Sequence, residues 1–157
     1  KLSNGEKLPT LEKYLKQGKK SKQVKLIVEI KPAKTPELED EMVIKTLKMI
    51  RDKSLENQCE FISFSLHLCK EIKKQNPKTI VQYLAGDLSP SDIKNAGIDG
   101  LDYHYSVFLD KHPDWILEAK KLGLITNVWT VNDEVIFKKL ADLGVGFVTT
   151  NVPDVLK

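Results

Sequence analysis

Residues 124–150 read LITNVWTVNDEVIFKKLADLGVGFVTT, and this stretch decides the fold. Leu124–Trp129 is a short run of apolar and β-branched residues, suited to a buried strand. Asp133–Leu143 follows as a helix, and Asp133 and Glu134 place negative charge at its positive end. Ile136, Leu140 and Leu143 recur at helical spacing and form one inward-facing stripe. Asn132, just before the acidic pair, reads as the helix N-cap. Gly144 stops the helix and Gly146–Thr150 is a second apolar run. Strand, helix and strand at this spacing form two parallel strands joined by a right-handed crossover.

Working outward, the same unit recurs. Lys25–Ile30 (KLIVEI), Cys59–Ser65 (CEFISFS), Thr79–Leu84 (TIVQYL) and Gly100–Tyr105 (GLDYHY) are further strands. Between them lie predicted helices from Thr35 to about Asn57, over Leu66–Gln75, and over Asp114–Leu122, the last stopped by Gly123. Val43, Leu47 and Ile50 line the inner face of the first, and Trp115, Ala119 and Leu122 that of the last. Ser89-Pro90-Ser91-Asp92 opens a short helix that Gly97 closes. Serine is its N-cap, proline its first residue, and Asp92 can reach back to the cap.

Strand centres fall near residues 28, 62, 82, 102, 127 and 148, so successive centres are 20 to 34 residues apart. This rhythm makes an α/β chain with a parallel sheet. Two architectures fit: an open doubly wound sheet, or part of a (β/α)8 TIM barrel. No G-x-G-x-x-G or P-loop follows any strand, so the nucleotide-binding open sheet has no support. A complete barrel needs about 250 residues and eight strands. Thr10 caps a short helix, Leu11 to Lys16, ahead of the first strand, and a helix there implies a strand upstream. Pro153–Lys157 reads as the start of a last helix. The expected architecture is a partial TIM barrel of about six βα units in a single domain over residues 1–157. Its first two units lie N-terminal to Lys1.

Composition agrees with a globular α/β chain. The 157 residues include 25 Lys+Arg and 22 Asp+Glu, for a net charge of +3, and 41% are hydrophobic. No run approaches the length of a membrane span, and no n-region/h-region pair among these residues marks a signal peptide. Cys59 and Cys69 are too few for a disulfide framework or a metal cage and read as free thiols. Basic residues cluster at Lys13, Lys16, Lys19, Lys20, Lys22 and Lys25, with only Tyr14 among them to stack on a base. The cluster reads as a solvated loop rather than a nucleic-acid site.

Glu29 is the most informative single residue. It interrupts Leu26-Ile27-Val28-Glu29-Ile30, where its neighbours demand burial, so its carboxylate must pair, be protonated or bind a cation. Lys31 is two positions on, hence on the same face, and Pro32 ends the strand. The pair is either a structural ion pair or part of a site, since barrels keep their chemistry at the C-terminal ends of strands. His104 lies near the end of its strand and is a lesser candidate. His67, at a helix start, and His112, before Pro113, read as surface residues. No pair of histidines has zinc-ligand spacing. Trp129 is either core or an apolar wall for a ligand. Ser63 and Ser65 line a polar barrel interior or simply pack, and without G-x-S-x-G a serine hydrolase has no support.

These residues resemble the glycerophosphodiester phosphodiesterase family, in order and over most of the chain. Leu8-Pro9-Thr10-Leu11-Glu12 is similar to the family's IPTLEE. Leu26 to Lys31 resembles its LxxEIK strand, and Ile62-Ser63-Phe64 its SSF strand. Val128-Trp129-Thr130-Val131-Asn132 resembles WTVN, and Gly144 to Pro153 resembles GVDGIITDxP, with Asn151 in place of the usual Asp.

The resemblance implies a (β/α)8 barrel that hydrolyses small-molecule glycerophosphodiesters to glycerol 3-phosphate and an alcohol by metal-assisted acid–base chemistry. It implies a divalent cation, Mg²⁺ or Ca²⁺, with Glu29 as a carboxylate ligand. It implies Lys31 as a charge facing the phosphate and Trp129 as a wall beside the substrate. The family's HRG motif and both of its catalytic histidines belong to a segment with no counterpart here. None of His67, His104 and His112 matches them, so no catalytic residue is assigned and the chain alone is expected to be inactive. The competing reading is a non-catalytic barrel remnant that binds phosphodiesters or a protein. The compartment stays open between extracytoplasmic (periplasmic) and cytoplasmic, and the oligomeric state is open too.

Overall fold

The computed structural model describes residues 3 and 5–156. Six strands form one parallel sheet in strictly sequential order, β1-β2-β3-β4-β5-β6, a half-barrel with helices between the strands. They are β1 (Leu26–Glu29), β2 (Cys59–Ser63), β3 (Val81–Tyr83), β4 (Gly100–His104), β5 (Ile125–Trp129) and β6 (Phe147–Val148). The helices are α1 (Leu11–Gly18), α2 (Pro36–Asp52), α3 (Leu66–Gln75), α4 (Pro90–Asn95), α5 (Trp115–Lys121) and α6 (Glu134–Asp142). This is the partial barrel expected from the sequence, and the doubly wound alternative falls. Among the described residues, no helix is long and apolar enough to cross a membrane.

The two faces of the sheet differ. Leu26, Val28, Phe61, Val81, Leu101, Tyr103 and Val128 point to the helices and are buried. Val43, Leu47 and Ile50 of α2 and Leu68 and Ile72 of α3 meet them in one core. The alternate residues form the inner face. Glu29 lies opposite Ile62, Ile62 opposite Gln82, and Gln82 opposite Gly100. Asp102 lies opposite Asn127, and Asn127 opposite Phe147. At the sheet edges this face is open: Ile27 is 40% exposed and Phe147 60%.

Caps and stops fall largely where the sequence puts them. Thr35, Ser65 and Ser89 accept from the backbone N–H three residues on, and Ser89 with Asp92 closes the full capping box. Gly144 has φ +79°, a conformation that favours glycine and ends α6.

Several expectations need correction. α2 ends at Asp52, not near Asn57. Ser54 takes φ +56°, and the Leu55 N–H bonds back to Ile50 O, a left-handed helix stop made without glycine. It turns Leu55 into the core. Leu143 is exposed rather than inward, because it follows the last turn of α6 beside the open sheet edge. Pro153–Val155 make a turn, not a helix, while Lys157 lies outside the described residues. A π-helical turn, Val107–Lys111, has no counterpart in the sequence reading. It buries Phe108, whose ring stacks on Tyr103 at 5.8 Å.

Gly100 is required by close approach. A Cβ there would stand 2.5 Å from the Ile125 carbonyl oxygen and 2.8 Å from Ile125 Cβ. The obstacle is the backbone of the neighbouring strand, which cannot swing aside. Gly100→Ala is expected to cost about 3 kcal/mol, the upper range for overpacking. Urea unfolding checks this, and a midpoint within error of wild type would show that β4 and β5 separate freely.

Candidate active site at the carboxyl ends of the strands

β1 ends at Glu29, and Lys31 follows two residues later on the same face. Their Oε1 and Nζ atoms are 3.6 Å apart, and the Lys31 side chain is 80% exposed against 32% for Glu29. The Glu29 carboxylate is thus on the open inner face rather than sealed in the core, because the face toward β1 is uncovered. The loop after β1 is held from below. Ala33 N–H donates to Glu39 Oε1 at 3.1 Å, and Ser65 Oγ donates to Glu39 Oε2 at 2.8 Å. Ser63 Oγ donates to the Ile30 carbonyl at 2.7 Å. Ser63 and Ser65 therefore fix backbone rather than line the interior.

Across the sheet, Trp129 closes β5. Its Nε1–H donates to the Asp102 carbonyl at 2.8 Å, and Phe64 meets its ring edge-on at 5.9 Å. Between Trp129 and Glu29 lies a cavity of about 270 Å³, lined by Glu29, Lys31, Ile62, Phe64, Leu84, Asp102, Trp129, Thr130 and Thr149. The three residues singled out for a site, Glu29, Lys31 and Trp129, thus share one cavity at the carboxyl ends of the strands.

Asp102 is the residue that the sequence reading missed. It is 2% exposed, and its Oδ1 is buried without a hydrogen-bond partner. Gln82 Oε1 and Asn127 Oδ1 on the flanking strands are in the same condition. Burial, and then the charge of Glu29, push the Asp102 carboxyl up to about 7. The signal was present in Gly100–Tyr105: an acid in an apolar strand, the same irregularity that marks Glu29.

The remaining candidates sit elsewhere. His104 stands edge-on to Trp129 at 5.2 Å with Nδ1 on Ser106 Oγ at 2.8 Å, beside the cavity but not lining it. His67 pairs with Asp40 at 2.7 Å, and His112 stacks on Trp115 at 3.8 Å. Asn132 is not the helix cap: Asp133 accepts from Val135 N–H and Ile136 N–H. Asn132 Oδ1 instead accepts from Asn151 N–H at 2.8 Å and Thr150 Oγ at 3.2 Å, tying together the loops after β5 and β6. Cys59 and Cys69 are buried free thiols that burial pushes up to about 11 and about 12. A basic cleft lined by Lys19, Lys22 and Lys25 opens at the opposite end of the sheet.

Comparison with known proteins converges on one class. A structure of a glycerophosphodiester phosphodiesterase from Parabacteroides distasonis is 45% identical, with a TM-score of 0.94 over 98% of this chain. A Silicibacter pomeroyi protein assigned to the same class is 26% identical, with a TM-score of 0.81 over 93% of the chain. A phosphodiesterase from Oleispira antarctica, solved with the product sn-glycerol-3-phosphate, is 22% identical with a TM-score of 0.76 over 94% of the chain, a likeness of fold. The chain spans 64%, 54% and 59% of these three proteins, respectively. No curated protein sequence matches it. The model of the glycerophosphoryl diester phosphodiesterase family matches residues 1–155. With that match over nearly its whole length, the chain belongs to the glycerophosphoryl diester phosphodiesterase family.

Proposed function

We propose that this chain carries part of the active site of an enzyme that hydrolyses glycerophosphodiesters to glycerol 3-phosphate and an alcohol. The observation that carries this reading is the meeting of Glu29, Lys31 and Trp129 in one cavity at the carboxyl ends of parallel strands. The Lys31 ammonium, mostly in water, supplies a positive charge where a diester phosphate would enter. Trp129, Phe64, Ile62 and Leu84 give apolar walls for the carbon skeleton.

The donor set fits a hard cation in part. Glu29 meets Lys31 at more than hydrogen-bond distance, which leaves carboxylate oxygen turned to the cavity. Among the described residues no group of three His, Cys, Asp or Glu side chains gathers into a metal site. Glu29 would therefore be one ligand of Mg²⁺ or Ca²⁺, with the others supplied from outside these residues. Such a cation, when bound, neutralises charge on the phosphoryl oxygens. This chain's own part is to hold it through Glu29, to draw in the diester through Lys31, and to pack the substrate against Trp129.

The test is release of glycerol 3-phosphate from glycerophosphocholine. The 157-residue chain is assayed beside the longest natural reading frame that contains it, each with and without EDTA. The expected result is chelator-sensitive release by the longer protein and none by the 157 residues alone. No release from either, under any divalent cation, would leave a binding protein in place of an enzyme.

A further inference from the structure

Glu39 lies outside the cavity, yet its setting asks for a role. It is a carboxylate in the first turn of α2, and it is 6% exposed. Among the described residues no lysine, arginine or histidine pairs with it. Its two oxygens take neutral donors from two different loops, Ala33 N–H before α2 and Ser65 Oγ after β2. Burying an unpaired charge is expensive, and the positive end of α2 offsets only part of that cost. Neutral side chains could join a helix to two loops at a lower cost. A charge placed here is explained by the strength of its grip, since hydrogen bonds to a carboxylate are roughly twice as strong as neutral ones.

What Glu39 grips is the far side of Lys31. Ser63 Oγ holds the Ile30 carbonyl on one side, and Glu39 Oε1 holds Ala33 N–H on the other. Between these anchors lie only Lys31 and Pro32. Pro32 has no N–H, so Ala33 offers the first backbone donor after Lys31, and the proline ring disfavours helical backbone at Lys31 itself. The Lys31 side chain is 80% exposed, and its one ion pair among the described residues is Glu29 at 3.6 Å. A flexible four-carbon stem with so little around it is placed by its own backbone. The grip is in turn anchored to a helix end, because Ser65 Oγ, which donates to Glu39 Oε2, accepts from Leu68 N–H at 3.2 Å and caps α3.

We propose that Glu39 is a positioning residue: it fixes the backbone on which Lys31 stands, and through it the charge that meets a phosphate at the cavity. The inference rests on the reading of Lys31 as a phosphate-facing charge, but its test needs no turnover. Binding of inorganic phosphate, in EDTA, to the longest natural reading frame that contains this chain is followed by phosphorus NMR. Lys31→Ala and Glu39→Ala are each expected to weaken binding about tenfold, the size of one charge-assisted contact. On the Lys31→Ala background, Glu39→Ala is expected to add less than about twofold, because the contact it positions is already gone. Glu39→Gln, whose carbonyl can accept from Ala33 N–H and whose amide can donate to Ser65 Oγ, is expected to recover part of the lost affinity. A carboxylate that only stabilises the fold would weaken binding equally on both backgrounds, or not at all, and either result overturns the proposal. So does a wild type that binds no phosphate. Should Glu39→Ala fail to fold, Glu39→Asp takes its place in the same cycle. One carbon shorter, it keeps the charge but loses the reach to both donors, and full affinity in that variant overturns the proposal. Phosphate binding with this pattern and no hydrolysis would refute the enzyme reading and leave the role of Glu39 standing, whereas hydrolysis with additive losses would do the reverse.

Discussion

At pH 8, Asp102→Asn is expected to unfold at a higher urea concentration than wild type, and near pH 4 the advantage is expected to vanish. The direction follows from proton linkage. The Asp102 carboxyl is raised from an ordinary 3.8 to about 7, first by burial and then by Glu29. Below about pH 4 it is protonated in the folded and the unfolded chain alike. Between about pH 4 and 7 the folded chain keeps a proton that the unfolded chain has released, so stability falls as pH rises. Above 7 the loss is complete and constant. The displacement of about three pKa units corresponds to an order of magnitude of 3–4 kcal/mol. Asparagine never carries the charge and escapes this loss. Equal midpoints across the range would mean that the carboxylate meets water or a donor in solution.

The second large effect is expected at Glu29. If the longest natural reading frame containing this chain turns over substrate as proposed, Glu29→Gln should lower the rate roughly a hundredfold or more, since a neutral amide would be a poor ligand for the proposed hard cation. The melting temperature should barely move. The Glu29–Lys31 pair is 3.6 Å long with Lys31 80% exposed, and pairs of that kind contribute about 0–1 kcal/mol. The combination separates the two readings of the pair. An ion pair kept for the fold would show the opposite pattern, with activity retained and a lowered midpoint. On the proposed reading, chelator sensitivity should disappear along with the activity, because Glu29 would be the cation's ligand in this chain.

The two neutralisations differ in their expected effect on the fold. Neutralising Asp102 is expected to stabilise the fold, whereas neutralising Glu29 is expected to leave it nearly unchanged. The difference is exposure. The Glu29 side chain is about one-third in water, whereas Asp102 is 2% exposed.

What could be read in advance was local. The spacing of Val43, Leu47 and Ile50, the serine–proline–acid opening of α4, and glycine stops such as Gly144 are all short-range signals, and each proved a sound guide. They fix the order of strands and helices, and that order fixes a parallel sheet. Glu29 and Lys31 were legible because an acid and a base broke an apolar run just before a proline. What escaped depends on contacts between distant segments. Ser54 makes a helix stop without glycine because Leu55 gains a place in the core. The loop after β4 winds into a π-helical turn because Phe108 reaches Tyr103. Asn132 and Asp133 are both good caps, and the choice between them was made by the loop after β6, which takes Asn132. Asp102 looked like one more strand residue until the register set it opposite Asn127 and near Glu29.

The strictly sequential strand order also ranks the elements by how easily they open. Each strand is hydrogen-bonded only to its predecessor and its successor, so the described ladder behaves like a zipper with two loose ends. Amide protons of β3 and β4 should exchange with solvent slowest, and those of β1 and β6 soonest, through openings that never unfold the whole chain. Glu29 lies on β1, at one such end, and Trp129 lies next to the other. In the 157-residue chain, Glu29 and Trp129 of the candidate site therefore sit toward the ends of the ladder that are expected to exchange first.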